Sequence, residues 1–244
     1  MALTPEIRIL ETPADLFHAA ASEFATLTAR AVENHGRFSV ALSGGSTPKG
    51  LYALLASGSV PKIPWQQIFF FFGDERFVPP EHPDSNYRMA RETGLFLKVP
   101  SDHVFRVHTE EKDAETAALD YEQTLRTFFR LQTGEFPRFD LVLLGLGPDG
   151  HTASLFPGTA ALNERRRLVV ANWVEKFKTY RITLTLPVLN HAACVMFLVS
   201  GPDKAHMVRE VLRNEGANLP SQKVRPTDGR LLWLLDRAAG SGLT

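Results

Sequence analysis

The stretch that most constrains this chain is the apolar run Phe139–Leu144 passing directly into Gly145–Pro157, GLGPDGHTASLFP. An apolar run of that length, entered after Pro137 and left through Gly145 and Gly147, predicts a buried strand. The segment beyond the run is not ordinary core. Gly145, Gly147, Pro148 and Gly150 enforce a tight irregular loop, and within it Asp149 stands two residues before His151. A histidine just past the carboxyl end of an α/β strand lies where open parallel sheets place their ligands. A glycine-rich turn with an incidental surface histidine would share this spacing, so the rest of the chain has to decide.

The remaining chain repeats the arrangement. Thr12-Pro13-Ala14-Asp15 predicts a helix start, with a hydroxyl cap, proline at the first helical position and an acid in the first turn. Leu16, Phe17, Ala20, Phe24, Leu27 and Ala31 then share one helical face, and Gly36 stops the helix. Phe38–Leu42 reads as a strand running into Ser43-Gly44-Gly45-Ser46-Thr47-Pro48. Thr47 and Pro48 predict a helix over about Pro48–Ala56. A strand, a Gly/Ser loop and a helix N-terminus in succession can cradle an anion, or can simply be a capped helix after a flexible turn. Neither the P-loop nor the dinucleotide pattern fits the residues after Gly45.

Pro61 and Pro64 mark a surface connection, and Ile68–Phe72, IFFFF, is apolar on both faces, as a central parallel strand would be. It ends in Gly73-Asp74-Glu75-Arg76, where Arg76 would suit a phosphate because its planar fork bonds two oxygens at once. Ser85 reads as the cap of a short helix whose Arg88 and Arg91 form a solvated face. Ala114–Gln132 reads as an amphipathic helix with a core stripe of Ala117, Tyr121, Leu125 and Phe128. Leu168–Trp173, Arg181–Leu186, Ala193–Val199 and Leu231–Leu235 complete the predicted strands, and Pro187 ends the second of these. Gly201-Pro202-Asp203-Lys204 opens a helix to about Arg213, Gly216–Thr227 reads as loop, and Ala238–Thr244 as a frayed tail. Strands alternating with helices, without repeat or linker, predict one α/β domain over 1–244 with a mainly parallel sheet. The ends of three strands, at Ser43, Gly73 and Gly145, would then share one sheet edge.

Composition narrows the function classes. Lys+Arg and Asp+Glu balance at 27 each, so no global charge draws the chain to nucleic acid or an anionic membrane, and an anion site must be built locally. The single cysteine, Cys194, lies in an apolar run and reads as a small hydrophobe. The N-terminus lacks a basic segment followed by an apolar one, and no apolar run approaches the ~18 residues of a membrane span. A soluble cytoplasmic protein is the expectation.

With these residues assembled, the chain resembles the 6-phosphogluconolactonases of the glucosamine-6-phosphate isomerase/6-phosphogluconolactonase family. The matching segments are SGGSTP (Ser43–Pro48), FGDERFV (Phe72–Val78) with SNY (Ser85–Tyr87), GLGPDGHTASLFPG (Gly145–Gly158) and YRITLTLPVLN (Tyr180–Asn190). The resemblance implies a Rossmann-like fold shared with glucosamine-6-phosphate deaminase and ribose-5-phosphate isomerase. It implies hydrolysis of a phosphosugar lactone with His151 as general base and Asp149 as its orienting partner. It also implies substrate binding by Ser43, Gly44, Gly45, Ser46, Thr47, Asp74, Arg76, Lys176 and Arg181, with no cofactor and no metal. Glu175, Phe177 and Lys178 depart from the proline-rich form of that segment, which leaves Lys176 or Lys178 as the family's phosphate lysine. Lys176 is preferred on spacing. A small-molecule substrate and a monomer are expected.

Two other readings stay open. A deaminase would share the SGGSTP-like loop and the DGH, but Phe156 stands where that group carries a glutamate, and Arg76 where it carries a tyrosine. A phosphosugar-sensing domain would need the cradle without the Asp149–His151 pair.

Overall fold

The computed structural model describes residues 4–60 and 62–243. Residues 1–3, on which part of the expectation about the N-terminus rests, Pro61 and Thr244 lie outside the described residues. The elements in order are β1 (Glu6–Leu10), α1 (Pro13–His35), β2 (Phe38–Leu42), α2 (Ser46–Ala56), β3 (Ile68–Phe72), β4 (Asp74–Arg76), α3 (Asn86–Glu92) and α4 (Ala114–Phe129). They continue with β5 (Leu141–Leu144), β6 (Val169–Val174), β7 (Thr179–Leu184), α5 (Leu186–His191), β8 (Cys194–Val199), α6 (Ala205–Arg213), β9 (Arg230–Asp236) and α7 (Arg237–Gly240).

Six strands pair in the order β1-β9-β8-β5-β2-β3, and every neighbouring pair is parallel. β4, β7 and β6 form a separate antiparallel sheet. The parallel strands β2, β5 and β8 are buried along their whole length, as expected where helices cover both faces. One face packs Val40, Phe70, Leu143 and Leu234 against Leu16, Ala20 and Phe24 of α1 and Leu51 and Leu55 of α2. The other packs Phe71, Val142, Phe197 and Trp233 against Ala117 and Leu125 of α4 and against Ile182 and Leu184 of the small sheet.

Local chemistry explains the boundaries. Thr12 Oγ1 accepts from Asp15 N while the Asp15 carboxylate accepts from Thr12 N, each at 3.1 Å. That reciprocal cap contributes on the order of 1 kcal/mol to α1, which Gly36 ends at φ 79°.

Several expectations are corrected. Ile68–Phe72 is an edge strand, not a central one. It reads as central because its free edge is covered: Phe105 N donates to Phe70 O at 2.8 Å and His103 Nδ1 lies 3.1 Å from Ile68 O. Covering an edge removes the unpaired row of backbone groups. α2 begins at Ser46, with Gly45 at its cap in a φ of 107° and no side-chain cap bond, so Thr47 lies in the first turn instead of capping. α4 ends at Phe129, where Arg130 adopts a left-handed conformation. Leu186 belongs to α5, with Pro187 in its first turn, and not to the preceding strand. The expected frayed tail is docked through residue 240: Asp236 Oδ1 accepts from Ala239 N at 2.7 Å and Ala239 is buried.

Chain order fixes where a site can form. From β2 the chain steps outward to β3, whereas β5, β8 and β9 build the sheet in the opposite direction. The loops after β2 and β5 therefore diverge and leave a crevice at the carboxyl edge.

Candidate active site

Two buried tyrosines anchor the strand ends that bound this crevice. Tyr52 Oη, from α2, accepts from Ser43 N and donates to Ser43 O, each at 2.9 Å. Tyr121 Oη, from α4, accepts from Phe72 N at 2.7 Å and donates to Phe72 O at 3.0 Å. Burial pushes both phenols up, which keeps them neutral donors.

Beyond Phe72 the chain turns into β4, and its alternating residues divide the work. Glu75 points into the protein. Its carboxylate accepts from Asn86 N at 2.7 Å, from Arg76 N and Tyr87 N at 2.8 Å each, and from Ser85 Oγ at 3.2 Å. Burial pushes its pKa up despite those donors. Glu75 thereby pins the Ser85–Tyr87 turn under the site. Asp74 is tied at 2.6 Å to Ser154 Oγ and, through its carbonyl, at 2.9 Å to Asn86 Nδ2. Asn86 in turn lies where a Cβ on Gly44 would meet its Oδ1 at 2.0 Å, so glycine is the residue that lets the two loops approach.

The loop after β5 holds the histidine. Gly147 N donates to His151 O at 2.8 Å, and Gly150 N to Gly147 O at 3.1 Å. Thr152 Oγ1 donates to Gly145 O at 2.9 Å. The loop is thus closed by its own backbone, and His151 Nδ1 sits 2.5 Å from Asp149 Oδ1. Burial alone would raise the Asp149 carboxyl, but the hydrogen bond and charge of His151 outweigh it and hold it below its ordinary value. The Phe156 ring stacks on the imidazole at 4.0 Å and 25°. With Nδ1 engaged, Nε2 has no partner among the described residues.

These segments line one cavity of about 260 Å³, bounded by Ser43–Pro48, Asp74, Arg76, Gly145–Pro148, His151–Ala153, Leu198–Ser200 and Lys204. Ser43 Oγ and Arg76 Nε are buried without a hydrogen-bond partner, although Arg76 Nη1 donates to Asp84 O at 2.5 Å. Buried polar groups are almost always satisfied, so two orphans beside one cavity mark where ligand atoms would complete them.

Of the residues singled out in the sequence, Ser43, Gly44, Gly45, Ser46, Thr47, Asp74, Arg76 and His151 meet at this cavity. Asp149 stands behind His151. Arg181 pairs with Arg76 across β4 and β7 but does not line the cavity. Burial, then the like charge of Arg76, pushes its pKa down. Lys176 also falls outside the lining: 59 % exposed, it reaches Asp149 Oδ2 at 3.9 Å and lines a neighbouring hollow with it. Lys204 was not singled out, yet it lines the cavity at 26 % exposure. A signal for it was present, since Ser200-Gly201 follows an apolar run and makes a fourth glycine-bearing strand end.

The chain matches the family model for glucosamine-6-phosphate isomerases/6-phosphogluconolactonase over residues 11–233. It is 46% identical over 217 residues to a 6-phosphogluconolactonase of Nostoc sp., covering 88% of each chain. The solved structure of 6-phosphogluconolactonase from Trypanosoma cruzi superposes with a TM-score of 0.90 at 33% identity, covering 100% of this chain and 98% of that one. A monomeric glucosamine-6-phosphate deaminase shares the fold, with a TM-score of 0.80 at 22% identity and coverage of 97% and 99%. The chain belongs to the glucosamine-6-phosphate isomerase/6-phosphogluconolactonase family.

Proposed function

We propose that this protein hydrolyses 6-phospho-D-glucono-1,5-lactone to 6-phospho-D-gluconate, a step of the oxidative pentose phosphate pathway. A δ-lactone is a cyclic ester, so its opening needs an activated water, a stabilised oxyanion and a proton for the departing ring oxygen. Imidazole is the side chain that exchanges a proton near neutral pH. His151 Nε2 takes the proton from water and returns it to the ring oxygen, and Asp149 holds Nδ1–H and favours the transient imidazolium. Of the two glycine loops, the one at Gly44-Gly45 supplies the oxyanion donors in this reading, because Gly147 N already donates to His151 O.

The 6-phosphate positions the substrate. The first-turn N–H groups of Ser46 and Thr47 at the start of α2, the Ser43 hydroxyl, Arg76 and Lys204 form its cradle, with Asp74 holding Ser154 and the Gly44 loop in place. Binding at the phosphate supplies orientation at C1, remote from the chemistry. Lys204 replaces Lys176 in this assignment, because Lys204 lines the cavity and Lys176 pairs with Asp149 outside it. Arg181, opposite Arg76 across β4 and β7, adds a second positive charge beside it.

The observation that carries the reading is the 2.5 Å Asp149–His151 pair beside the unpartnered Ser43 Oγ and Arg76 Nε in one cavity. The stacked Phe156 speaks against the deaminase alternative, since it offers no group to relay a proton during sugar ring opening. The enzyme in this reading is a monomer, and the substrate class fits a cytoplasmic enzyme. Fresh lactone supplied to the wild-type protein is expected to release acid well above the spontaneous rate, with no ammonia released from glucosamine 6-phosphate. Ammonia release without lactone hydrolysis would overturn the assignment.

A further inference from the structure

A second cavity, of about 770 Å³, lies at the opposite edge of the parallel sheet, below the amino ends of β2 and β5. It gathers Arg30 from α1, Arg37 before β2, Arg130 after α4 and Arg138 before β5 around a floor that includes Phe129 and Phe136. In a chain whose formal net charge is zero, four arginines lining one hollow are a concentrated positive charge, with the side chains of Arg30 and Arg130 the least engaged elsewhere. The acid present does not neutralise them. Asp140 Oδ2 accepts from Ser39 N and Ser39 Oγ at 2.8 Å each, and its Oδ1 lies 2.9 Å from His35 Nε2.

The arginines differ in this from several others on the surface, although Arg166, Arg209 and Arg213 also sit on no carboxylate among the described residues. Arg88, Arg91, Arg106 and Arg230 each sit on a carboxylate. Arg138 donates to the carbonyls of His191 and Asp228, and Arg37 lies 4.5 Å over the Phe128 ring. The guanidiniums of Arg30, Arg37 and Arg130 donate to no acceptor among the described residues. Cations near helix C-termini commonly serve the helix's own carbonyls, but the guanidinium of Arg130, at the C-cap of α4, does not.

We propose that this cavity is a second ligand site, distinct from the catalytic one, for a nucleoside polyphosphate. The arginines hold the phosphates through forked hydrogen bonds, and the apolar floor takes the planar ring. Guanidinium geometry matches phosphate oxygens, and phenyl rings offer a stacking face to a base and exclude water from it. No phosphoryl transfer is involved. The site binds.

The test is calorimetric titration with ATP and, separately, inorganic triphosphate, on the wild type, the double variant Arg30→Gln/Arg130→Gln, and Lys204→Met. Both arginines are exposed at the rim, so the double variant is expected to keep wild-type melting and lactonase activity. ATP is expected to bind the wild type and Lys204→Met alike, more tightly than triphosphate. Affinity should fall about tenfold or more in the arginine variant and weaken as salt is raised. Absence of ATP binding, or its loss in Lys204→Met with retention in the arginine variant, would overturn the proposal. Triphosphate binding as tightly as ATP would overturn the assignment of a ring-bearing ligand.

Discussion

Gly147→Ala is a substitution whose effect can be worked from the geometry of one loop. The backbone at Gly147 is not in the left-handed region, so alanine carries no conformational penalty there. Its Cβ, however, would lie 2.0 Å from His151 Nδ1 and 2.1 Å from Cε1. Non-bonded carbon and nitrogen need at least 3.0 Å, so the imidazole must retreat by about 1 Å or more. It cannot retreat freely, because the Phe156 ring stacks on it at 4.0 Å. The Asp149 bond, already 2.5 Å long, breaks or rotates with it. A misplacement of about 1 Å in a reacting group costs on the order of 100-fold in rate. The Ser43–Thr47 segment, the phosphate cradle of the proposed function, lies on a different loop and stays intact. The expected result is a kcat for fresh lactone, measured by acid release in a pH-stat with the spontaneous rate subtracted, reduced about 100-fold with KM little changed. A wild-type kcat in a folded Gly147→Ala protein would refute the claim that the seat of His151 sets the rate.

Lys204→Met is expected to raise KM for the lactone by about tenfold or more, the cost of one charged hydrogen bond to phosphate, while Lys176→Met leaves KM near wild type; steady-state kinetics on both separates the two lysines. Glu75→Ala leaves three backbone N–H groups without their acceptor and is expected to cost about 3 kcal/mol or more. At this chain length that is a fall in Tm of roughly 6–12 °C by calorimetry, and an unchanged Tm would contradict the anchoring role of Glu75. Asp149 predicts a pH dependence of stability. Its folded pKa lies below the ordinary 3.8, so the folded state binds fewer protons, and its contribution is present above that value and lost as pH falls through the depressed one. Denaturation of wild type and Asp149→Asn across pH is expected to give a difference at neutral pH that closes in that acid window.

The strands the sequence marks most plainly, Phe38–Leu42 and Ile68–Phe72, have the same bounds in the structure, because both are buried runs that end at glycine or at a turn. The loops at Ser43, Gly73 and Gly145 were legible for the same reason, and their convergence is a consequence of parallel topology. β1 was not legible. Four of its five residues are exposed, and it becomes a strand only by pairing with β9 at the other end of the chain. The edge position of β3 was hidden because a covered edge buries both faces as a central strand does. The antiparallel sheet formed by β4, β7 and β6 depends on the register of Asp74–Arg76 against Arg181–Thr183, which no local pattern encodes. Lys204 lies in a segment that reads locally as a helix start, although Ser200-Gly201 just before it ends an apolar run, and the strand order brings that segment to the cavity. Lys176, matched by spacing, lies with Asp149 in the lining of a neighbouring hollow, a placement set by the β6–β7 turn and not by any local pattern.

The most direct test of His151 as the base compares wild type with His151→Ala on fresh 6-phospho-D-glucono-1,5-lactone, together with the affinity of each for 6-phosphogluconate. Fast hydrolysis by the wild type, the spontaneous rate in the variant and similar product affinity in both are expected. Near wild-type turnover in the variant, or loss of binding without loss of turnover, would contradict the role assigned to His151.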